Sequence, residues 1–307
     1  MKIYLTKINE SWIVDRIRQE WYENNPNIST EKIKEADIIW IIAPWVWKKT
    51  PKKHLKNKKV ICSYYHFDFE KFGAKERKDF YELDQYVDEY HVVSEITKKQ
   101  LSGLTEKKIS SIPSWVNQKI WYEISDKVEL RNAFNLNTQE YLIGSFQRDT
   151  EGHDLISPKL SKGPDIFIKI VKEIYNENKN LKIILSGIRR NYIIKNLEEA
   201  KIPYKYFEMA PLDLINKLYN ILDLYLVTSR VEGGPQAILE CGITRTPIIS
   251  TNVGVASEIL HKDSIFRSTN YKEAKPNIEH AYKNSLNYTI PIGMDAYIQL
   301  FKRFNEN

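Results

Sequence analysis

The sequence predicts an α/β protein with two open parallel sheets, because short apolar runs alternate with longer amphipathic segments along most of the chain. This alternation occurs in two series, separated by a polar stretch at residues 117–139. A chain of 307 residues is also too long for one ordinary core and suits two domains of roughly 150 residues each. We therefore expect a first domain at 1–130, a second at 131–290, and a C-terminal helix at 291–307 that packs back on the first.

The order of the expected elements follows this alternation. The first series has strands at 2–6, 37–42, 59–65 and 89–94, and helices at 8–25, 74–87 and 95–103. The second series has strands at 141–146, 182–187, 204–208, 224–229 and 247–252, and helices at 164–179, 193–201, 213–222, 235–244 and 294–304. Strands that alternate with helices are typical of parallel sheets, whose functional loops follow the carboxyl ends of the strands. We therefore expect a ligand at these ends, in a cleft across which the two sheets face each other.

Cysteine content and apolar runs exclude several protein classes. Cys62 and Cys241 come without a CxxC pair or a His/Cys cluster, so they support neither a disulfide framework nor a structural zinc site. The N-terminus lacks the apolar core of a signal peptide. The longest apolar run, at 36–47, is shorter than the ~20 residues that a membrane span needs. We expect a protein of a reducing compartment that is soluble or peripheral to a membrane.

A basic run of seven lysines at 48–59 follows Trp45 and Trp47 directly. Such a run could bind anionic lipid headgroups, with the tryptophans at the interface, or the phosphates of a nucleic acid. It could equally be a hydrated helix and turn leading into the next strand. We favour the last interpretation, since charge runs are usually solvated faces.

Two glutamates flank a tight turn in the stretch SRVEGGPQAILE. Glu232 follows the end of an expected strand, and Gly233 and Gly234 allow the backbone to approach a ligand closely. Pro235 suits the first turn of a helix, and Glu240 lies between one and two turns further along it. Each carboxylate could accept hydrogen bonds from the vicinal hydroxyls of a ribose or a sugar ring. The alternative is an acidic residue stabilised by the helix dipole plus an exposed helical glutamate, and spacing leaves both open.

Two further loops have the chemistry of a phosphate site. The stretch STNVGVASEIL places Gly254 between a strand and a helix, where free amides and the helix dipole favour an anion. Upstream, Arg148, Lys159 and Lys162 lie in the loop that follows the strand at 141–146. Cationic side chains at a strand end suit a diphosphate. The absence of GxxxxGK[ST] and GxGxxG argues against a P-loop ATPase and a standard NAD site.

The order of these motifs resembles the nucleotide-sugar half of retaining GT-B glycosyltransferases of family four, the glycosyl transferases group 1. The matching stretches are SRVEGGPQAILE, GITRTPIIS and NVGVASE, at 229–258, together with Gly144, Arg148 and the Lys162-Gly163 pair. In the first half, VVSEITKKQL and IPSWVN resemble the serine-start helix and the following turn of that family. The resemblance therefore covers nearly the whole chain and implies two Rossmann-like domains, the first binding the acceptor and the second the nucleotide sugar.

This resemblance implies a role for each motif residue. Glu232 would contact hydroxyls of the donor sugar and Glu240 the ribose, while Arg148 and Lys162 would neutralise the departing diphosphate in place of a metal ion. His66 follows the third strand, where members of the family often carry an active-site histidine. The alternative is a partly buried histidine whose hydrogen bonds are made by the backbone. The implied catalytic residues are His66, Arg148, Lys162 and Glu232. The implied donor-binding residues are Gly144, Lys159, Gly233, Gly234, Pro235, Gln236, Glu240, Gly254, Val255 and Ala256.

Several positions depart from the family pattern. The loop after the first strand, TKINES at 6–11, has no glycine, which puts a phosphate contact from the first domain in doubt. Pro235 removes one amide donor from the turn. An insertion at 149–161 separates Arg148 from Lys162, so that Lys159 could be the phosphate ligand instead. Its acidic residues and His153 are expected to form a hydrated loop, and the histidines other than His66 are expected at the surface.

The expected activity is transfer of a hexosyl-type sugar from a UDP- or GDP-sugar to a hydroxyl, with retention of configuration by front-face displacement (EC 2.4 class). No cofactor other than the donor is expected, and no metal. The acceptor would be a glycan, a lipid-linked glycan or another hydroxyl compound. We expect a cytoplasmic protein or one peripheral to the inner face of a membrane through residues 45–59, and no nucleic-acid partner. The alternatives are a degenerate member that binds nucleotide or glycan without turnover and a basic nucleic-acid-binding protein.

Overall fold

A computed structural model describes residues 1–9, 13–267 and 270–306 and divides the chain into two compact units. The first unit comprises Met1–Ser114 and Pro291–Asn307, and the second comprises Trp115–Ile290. The glycine-free TKINES loop lies partly outside the described residues, as does the start of the first expected helix. Within the described part of the chain, no helix has the length and apolarity to cross a membrane.

The first unit contains a five-stranded parallel sheet in sequential order. Its strands are β1 (Ile3–Leu5), β2 (Ile38–Ile41), β3 (Lys59–Tyr64), β4 (Glu89–Val92) and β5 (Lys108–Ser111). Its first four helices are α1 (Ile13–Asn24), α2 (Lys52–Asn57), α3 (Ala74–Asp84) and α4 (Glu95–Ser102). The expected strands are confirmed, whereas β5 was missed because the sequence KISS is polar and partly exposed.

The second unit contains a six-stranded parallel sheet in the order β11-β10-β9-β6-β7-β8. Its strands are β6 (Tyr141–Ser145), β7 (Leu181–Ser186), β8 (Tyr204–Phe207), β9 (Leu224–Val227), β10 (Ile248–Thr251) and β11 (Ile265–Phe266). Its helices are α5 (Lys127–Ala133), α6 (Pro164–Glu177), α7 (Asn191–Glu199), α8 (Leu212–Ile221), α9 (Gln236–Thr244), α10 (Ala256–Ile259) and α11 (Ile278–Leu286). The predicted α/β class with two parallel sheets is confirmed.

The second sheet is buried on both faces, as its apolar strands require. Successive residues of β7 point to opposite faces, so Ile183 and Leu185 join one apolar cluster and Ile184 joins another. Helix α6 packs in the first of these clusters through Phe167, Ile170 and other apolar residues along one face. The sheet is therefore rigidly held, which fixes the positions of the loops at its carboxyl edge.

The C-terminal helix α12 (Ile292–Glu306) packs in the core of the first unit. Its Phe301 ring contacts the rings of Trp21 and Trp40, with centroids 5.4 and 5.2 Å apart. At the end of the helix, the backbone carbonyl of Phe304 accepts a hydrogen bond from Lys59 Nζ at 2.8 Å. A buried aromatic cluster and a capping lysine thus anchor this helix.

The chain leaves the first unit at Ser114, so the composition-based boundary at residue 130 lies inside the second unit. The polar stretch after residue 115 is held by side chains of α8: the Tyr122 amide donates to Asn216 Oδ1 at 3.2 Å, and the Ile124 amide donates to Asn220 Oδ1 at 2.7 Å. Composition places the connection later because this attachment uses hydrogen bonds rather than an apolar run.

Candidate functional site

The carboxyl ends of β6, β9 and β10 lie side by side in the second sheet, and the three motif-bearing loops follow them. Gly163 precedes α6 in the left-handed conformation, with φ of 62°. A Cβ atom there would overlap the carbonyl of Thr228, whose Oγ1 donates to the Gly163 carbonyl at 2.8 Å. The amides of Arg230 and Val231 both donate to the Ser161 carbonyl, at 2.8 and 3.0 Å. The loops after β6 and β9 are therefore joined through their backbones.

This junction brings two predicted catalytic residues into contact. Lys162 Nζ forms an ion pair with Glu232 Oε1, and the side chains are 21% and 11% exposed. Ser229 Oγ donates to the same Glu232 oxygen at 3.3 Å. Gln147, in the loop after β6, donates to the Lys162 carbonyl at 3.0 Å. A cation and a carboxylate, each only partly exposed, thus face each other at the sheet edge, which can bind an anionic group and a hydroxyl side by side.

The turns after β9 and β10 also touch. Gly254 has φ of 54°, and a Cβ atom there would overlap the carbonyl of Gly233 and meet Pro235 Cδ at 3.0 Å. Glycine is therefore required at this position by packing as well as by backbone conformation. The following Val255 and Ala256 are buried, and α10 is a single short turn. Whether the amides of this turn bind a phosphate stays a prediction, as does the role assigned to Gly234.

Helix α9 positions Glu240 away from the solvent. Its side chain is 7% exposed, and Oε2 accepts a hydrogen bond from Tyr219 Oη at 2.8 Å. Burial and the neighbouring negative charge of Glu240 raise the pKa of Tyr219 well above its usual value. The alternative interpretation of an exposed helical glutamate is therefore wrong. At the start of the same helix, the Oε1 atom of Gln236 is buried without a hydrogen-bond partner among the described residues.

The remaining cations of the predicted phosphate loop have different surroundings. Arg148 is half-buried, and its burial together with the nearby positive charge of Arg189 lowers its pKa. The Lys159 amide donates to the Asp149 carbonyl at 2.7 Å. Gly144 lies within β6, where a Cβ atom would overlap the Leu222 side chain. Its role in donor binding stays a prediction.

The insertion at 149–161 is hydrated mainly at its tip. The expectation that its acidic residues form a hydrated loop is wrong for Asp149. Asp149 is 1% exposed, and its Oδ2 lies 3.4 Å from Nε of Arg190, which is also buried. Burial raises the pKa of Asp149 to about 6, against the opposing effect of the Arg190 charge. His153 and Asp154 are exposed, as predicted.

Sequence reasoning missed Arg190 and Tyr219. The Arg-Arg pair shortly after a buried strand was the available signal for Arg190.

Histidines of the first unit also divide between surface and core. His66 is exposed and follows β3, and its predicted catalytic role stays a prediction. The expectation of a surface position is wrong for His91, which is 2% exposed. Its Nδ1 lies 2.8 Å from Ser63 Oγ and its Nε2 lies 2.9 Å from the Ile112 carbonyl. Burial lowers the pKa of His91 to about 4, so a structural role explains it.

Much of the basic run at 48–59 serves the fold. Lys48 pairs with Asp79 at 2.6 Å and Lys52 pairs with Glu82 at 3.0 Å, both bridging to α3. Lys58 and Lys59 donate to backbone carbonyls. Trp47 is buried, whereas Trp45 is 54% exposed. These contacts favour the interpretation as a hydrated, internally paired face.

Comparisons with known proteins bear on the family and on the fold. The family model described as "Glycosyl transferases group 1" matches residues 157–290, most of the second unit and less than half of the chain. HepE from Anabaena, solved in complex with UDP-glucose, superimposes with a TM-score of 0.76 at 11% identity and covers 98% of this chain and 99% of its own. The fold is the GT-B fold.

Two further structures extend the comparison. Sucrose-phosphate synthase from Thermosynechococcus elongatus matches with a TM-score of 0.68 at 14% identity, over 97% of this chain and 81% of its own. A glycosyltransferase from Rickettsia africae matches with a TM-score of 0.65 at 14% identity, over 98% of this chain and 84% of its own. The family match and the GT-B fold together support the glycosyltransferase class for this chain.

A curated relative, described as uncharacterized protein 356 of Sulfolobus islandicus rod-shaped virus 1, is 35% identical over 96 residues. That match covers 30% of this chain and 25% of the viral protein. The chain therefore spans a quarter of the length of the curated relative that it matches.

Proposed function

We propose that this protein transfers a sugar from a nucleoside-diphosphate sugar to an acceptor hydroxyl with retention of configuration. The observation that carries the proposal is the Lys162–Glu232 ion pair, which lies at the carboxyl edge of the second sheet within the segment matched by the glycosyltransferase family. A cation for a phosphate and a carboxylate for a sugar hydroxyl are adjacent there. Because HepE was solved with UDP and with UDP-glucose, UDP-glucose is the first donor to test.

In this proposal each residue binds one part of the donor. Glu232 accepts hydrogen bonds from sugar hydroxyls, while Lys162 and Arg148 neutralise the diphosphate as it leaves. Glu240 binds the ribose, held in place by the Tyr219 hydroxyl. Stabilising leaving-group charge with preorganised cations is usually a large catalytic contribution. The departing phosphate then accepts the proton of the incoming hydroxyl on the same face, so that configuration is retained and no metal ion is required.

The acceptor side of the proposal concerns the first unit. We propose a hydroxyl of a glycan or a lipid-linked glycan as acceptor, with His66 near the reacting centre. A cytoplasmic location with peripheral membrane contact through 45–59 would use exposed Trp45 and the exposed lysines Lys49 and Lys53. The buried free thiols of Cys62 and Cys241 are compatible with a reducing compartment.

The experiment is a thermal-shift screen of UDP-, GDP- and ADP-sugars, followed by assays of donor hydrolysis and transfer with and without EDTA. A ligand that binds the native state raises the melting temperature. We expect one nucleotide class to do so, turnover that EDTA does not abolish, and Glu232→Ala to retain the fold while losing at least about 100-fold in turnover. Binding without turnover would favour a degenerate binder. Absence of any nucleotide response would overturn the proposal.

A further inference from the structure

Asp149 lies at a point where three parts of the second unit are linked by backbone hydrogen bonds. Its amide donates to the Arg189 carbonyl at 3.0 Å, in the connection between β7 and α7. Its carbonyl accepts from the Lys159 amide at 2.7 Å, which brings the two ends of the insertion together. A bridge between Thr150 and Pro158 and a hydrogen bond from the Glu151 amide to the Ser157 carbonyl continue this pairing towards the tip. The insertion is therefore a closed hairpin with Asp149 at its base.

The Asp149 side chain adds a second, buried set of links. Oδ1 accepts a hydrogen bond from the Tyr192 amide in the first turn of α7 at 3.1 Å, and Oδ2 lies 3.4 Å from Arg190 Nε. Arg190 Nη2 in turn donates to Ser145 Oγ, at the end of β6, at 3.1 Å. The carboxylate and guanidinium thus join the end of β6, the base of the hairpin and the start of α7. Arg148 and Lys159, two of the three cations of the predicted phosphate loop, lie directly beside this junction: Arg148 precedes Asp149 in the chain, and the Lys159 amide is hydrogen-bonded to the Asp149 carbonyl.

The pair is poorly suited to a purely stabilising role. Nε and Nη1 of Arg190 have no hydrogen-bond partner among the described residues, and burial shifts the pKa of each partner towards its neutral form. Apolar side chains of similar size often replace such a pair without loss of stability. Apolar side chains would fill the same volume, but they form no directional hydrogen bonds and would not fix the backbone positions of Arg148 and Lys159.

We propose that the buried Asp149–Arg190 pair is a positioning device that holds the Arg148 and Lys159 segment in place for a diphosphate ligand. The identity of the ligand rests on the proposed function, whereas the ordering of residues 148–162 does not. Neither Asp149 nor Arg190 contacts the substrate in this proposal, and both act through the cations that they position.

The first test is amide hydrogen exchange of peptides that span residues 148–162. The main variant is the double replacement Asp149→Leu/Arg190→Met, which removes both charges and leaves no unpaired buried ion. The second variant, Asp149→Asn, retains an acceptor for the Tyr192 amide. We expect at least tenfold faster exchange in this segment for the double variant and a smaller increase for Asp149→Asn. Unchanged exchange in both folded variants would overturn the proposal.

The matched control is Asp223→Asn, which weakens another partly buried carboxylate–arginine pair in the same unit, with Arg131 at 2.6 Å. This control should lower the melting temperature without faster exchange at 148–162. If it accelerates exchange there as much as the double variant does, the effect is general loosening and the proposal fails.

The second test uses UDP as the probe, by calorimetric titration, and UDP-glucose in steady-state assays. A positioning role predicts a fivefold or larger increase in the UDP Kd and in KM for the double variant, a lower kcat because Arg148 would stabilise the leaving diphosphate less well, and partial rescue in Asp149→Asn. Unchanged Kd and KM would contradict the part of the proposal that concerns the ligand. If the wild-type protein does not bind UDP, GDP or ADP, the proposed function fails, and hydrogen exchange still decides the positioning role.

Discussion

The two parallel sheets of this protein differ in the loops attached to the carboxyl ends of their strands. In the second unit, Gly163 and Gly254 have positive φ and stand where a Cβ atom would overlap a backbone carbonyl. In the first unit, Gly73, in the loop between β3 and α3, has φ of −81° and no such overlap. Gly103, between α4 and β5, has the same φ and also no such overlap. Gly163 and Gly254 are therefore more tightly constrained by their surroundings than Gly73 and Gly103.

Two ion pairs, one from each unit, also differ in their exposure to solvent. Lys48 and Asp79 of the first unit have side chains that are 53% and 43% exposed. The Lys162–Glu232 pair of the second unit is largely shielded from water. Solvent screens exposed pairs strongly and shielded pairs much less, so these two ion pairs differ in energetic weight. Four experiments test these differences between the two units.

The largest effect is expected for glycine replacement. Gly163→Ala should lower the free energy of unfolding by about 3 kcal/mol or more, because alanine is strained at positive φ and its Cβ would overlap the Thr228 carbonyl. The matched change Gly103→Ala should stay within about 1 kcal/mol of wild type, since its Cβ would lie 3.7 Å from the nearest atom, the Gln100 carbonyl oxygen. Denaturant titration of both variants measures this, and equal losses would remove the contrast.

One titrating group in each unit is expected to make the free energy of unfolding depend on pH, and the two effects have opposite signs. His91 has a folded pKa of about 4, below its usual 6.5, so the unfolded state binds the proton first. Its contribution to stability, on the order of 3 kcal/mol, is present above pH 6.5 and is lost as the pH falls towards 4. Asp149, with its pKa raised to about 6, behaves oppositely, because the folded state binds the proton more tightly as the pH falls from 6 to 4.

Denaturant midpoints measured between pH 4 and 7 separate these two groups. His91→Gln should flatten the loss of stability on acidification, and Asp149→Asn should steepen it. If His91→Gln keeps the wild-type dependence of the denaturant midpoint on pH, His91 is not the group responsible for the loss of stability on acidification.

A smaller effect is expected for nucleotide affinity at the ion pair. In Glu232→Gln the carboxylate no longer competes for Lys162, so UDP should bind about threefold to tenfold more tightly, the equivalent of roughly 1 kcal/mol, while sugar transfer falls. Calorimetry with UDP and an assay with UDP-glucose measure the two effects. Weaker UDP binding would mean that Lys162 contacts no phosphate.

The smallest effect is expected at the surface pairs of the first unit. Lys48→Ala and Lys52→Ala should leave the denaturant midpoint unchanged within error, because solvent screens both pairs. Lys49→Glu/Lys53→Glu should weaken binding to vesicles containing anionic lipid if residues 45–59 contact a membrane. Unaltered or absent vesicle binding would leave this face with a purely structural role.

Much of the fold could be predicted from local pattern. The alternation of apolar strands with amphipathic helices indicates parallel sheets, and Pro164 and Pro235 mark helix starts at the expected places. The strand β5 and helix α5 were missed because their residues are polar, and their pairing partners lie elsewhere in the chain. The periodicity of apolar residues in a sequence indicates which positions are buried only where the buried side chains are themselves apolar.

The candidate site was predictable in position and only partly in contacts. Motif spacing placed Lys162 and Glu232 in loops that follow strand ends, yet nothing in either motif indicated that the two strands are neighbours or that the two side chains pair with each other. Asp149 was expected in water because it stands in a polar stretch. Its buried partner is Arg190, which follows a different strand and lies 41 residues further along the chain.

The α/β class, the strand ends that carry the functional loops and the residue types in those loops can all be derived from the amino-acid sequence, because they follow from local periodicity and from motifs within single loops. Which of those residues are buried and which are paired depends on the three-dimensional packing. Glu232 contacts Lys162 across 70 residues, and Glu240 contacts Tyr219 across 21. The first pair forms because β6 and β9 become neighbours in the sheet, and the second because α8 and α9 pack together. No local pattern encodes either arrangement.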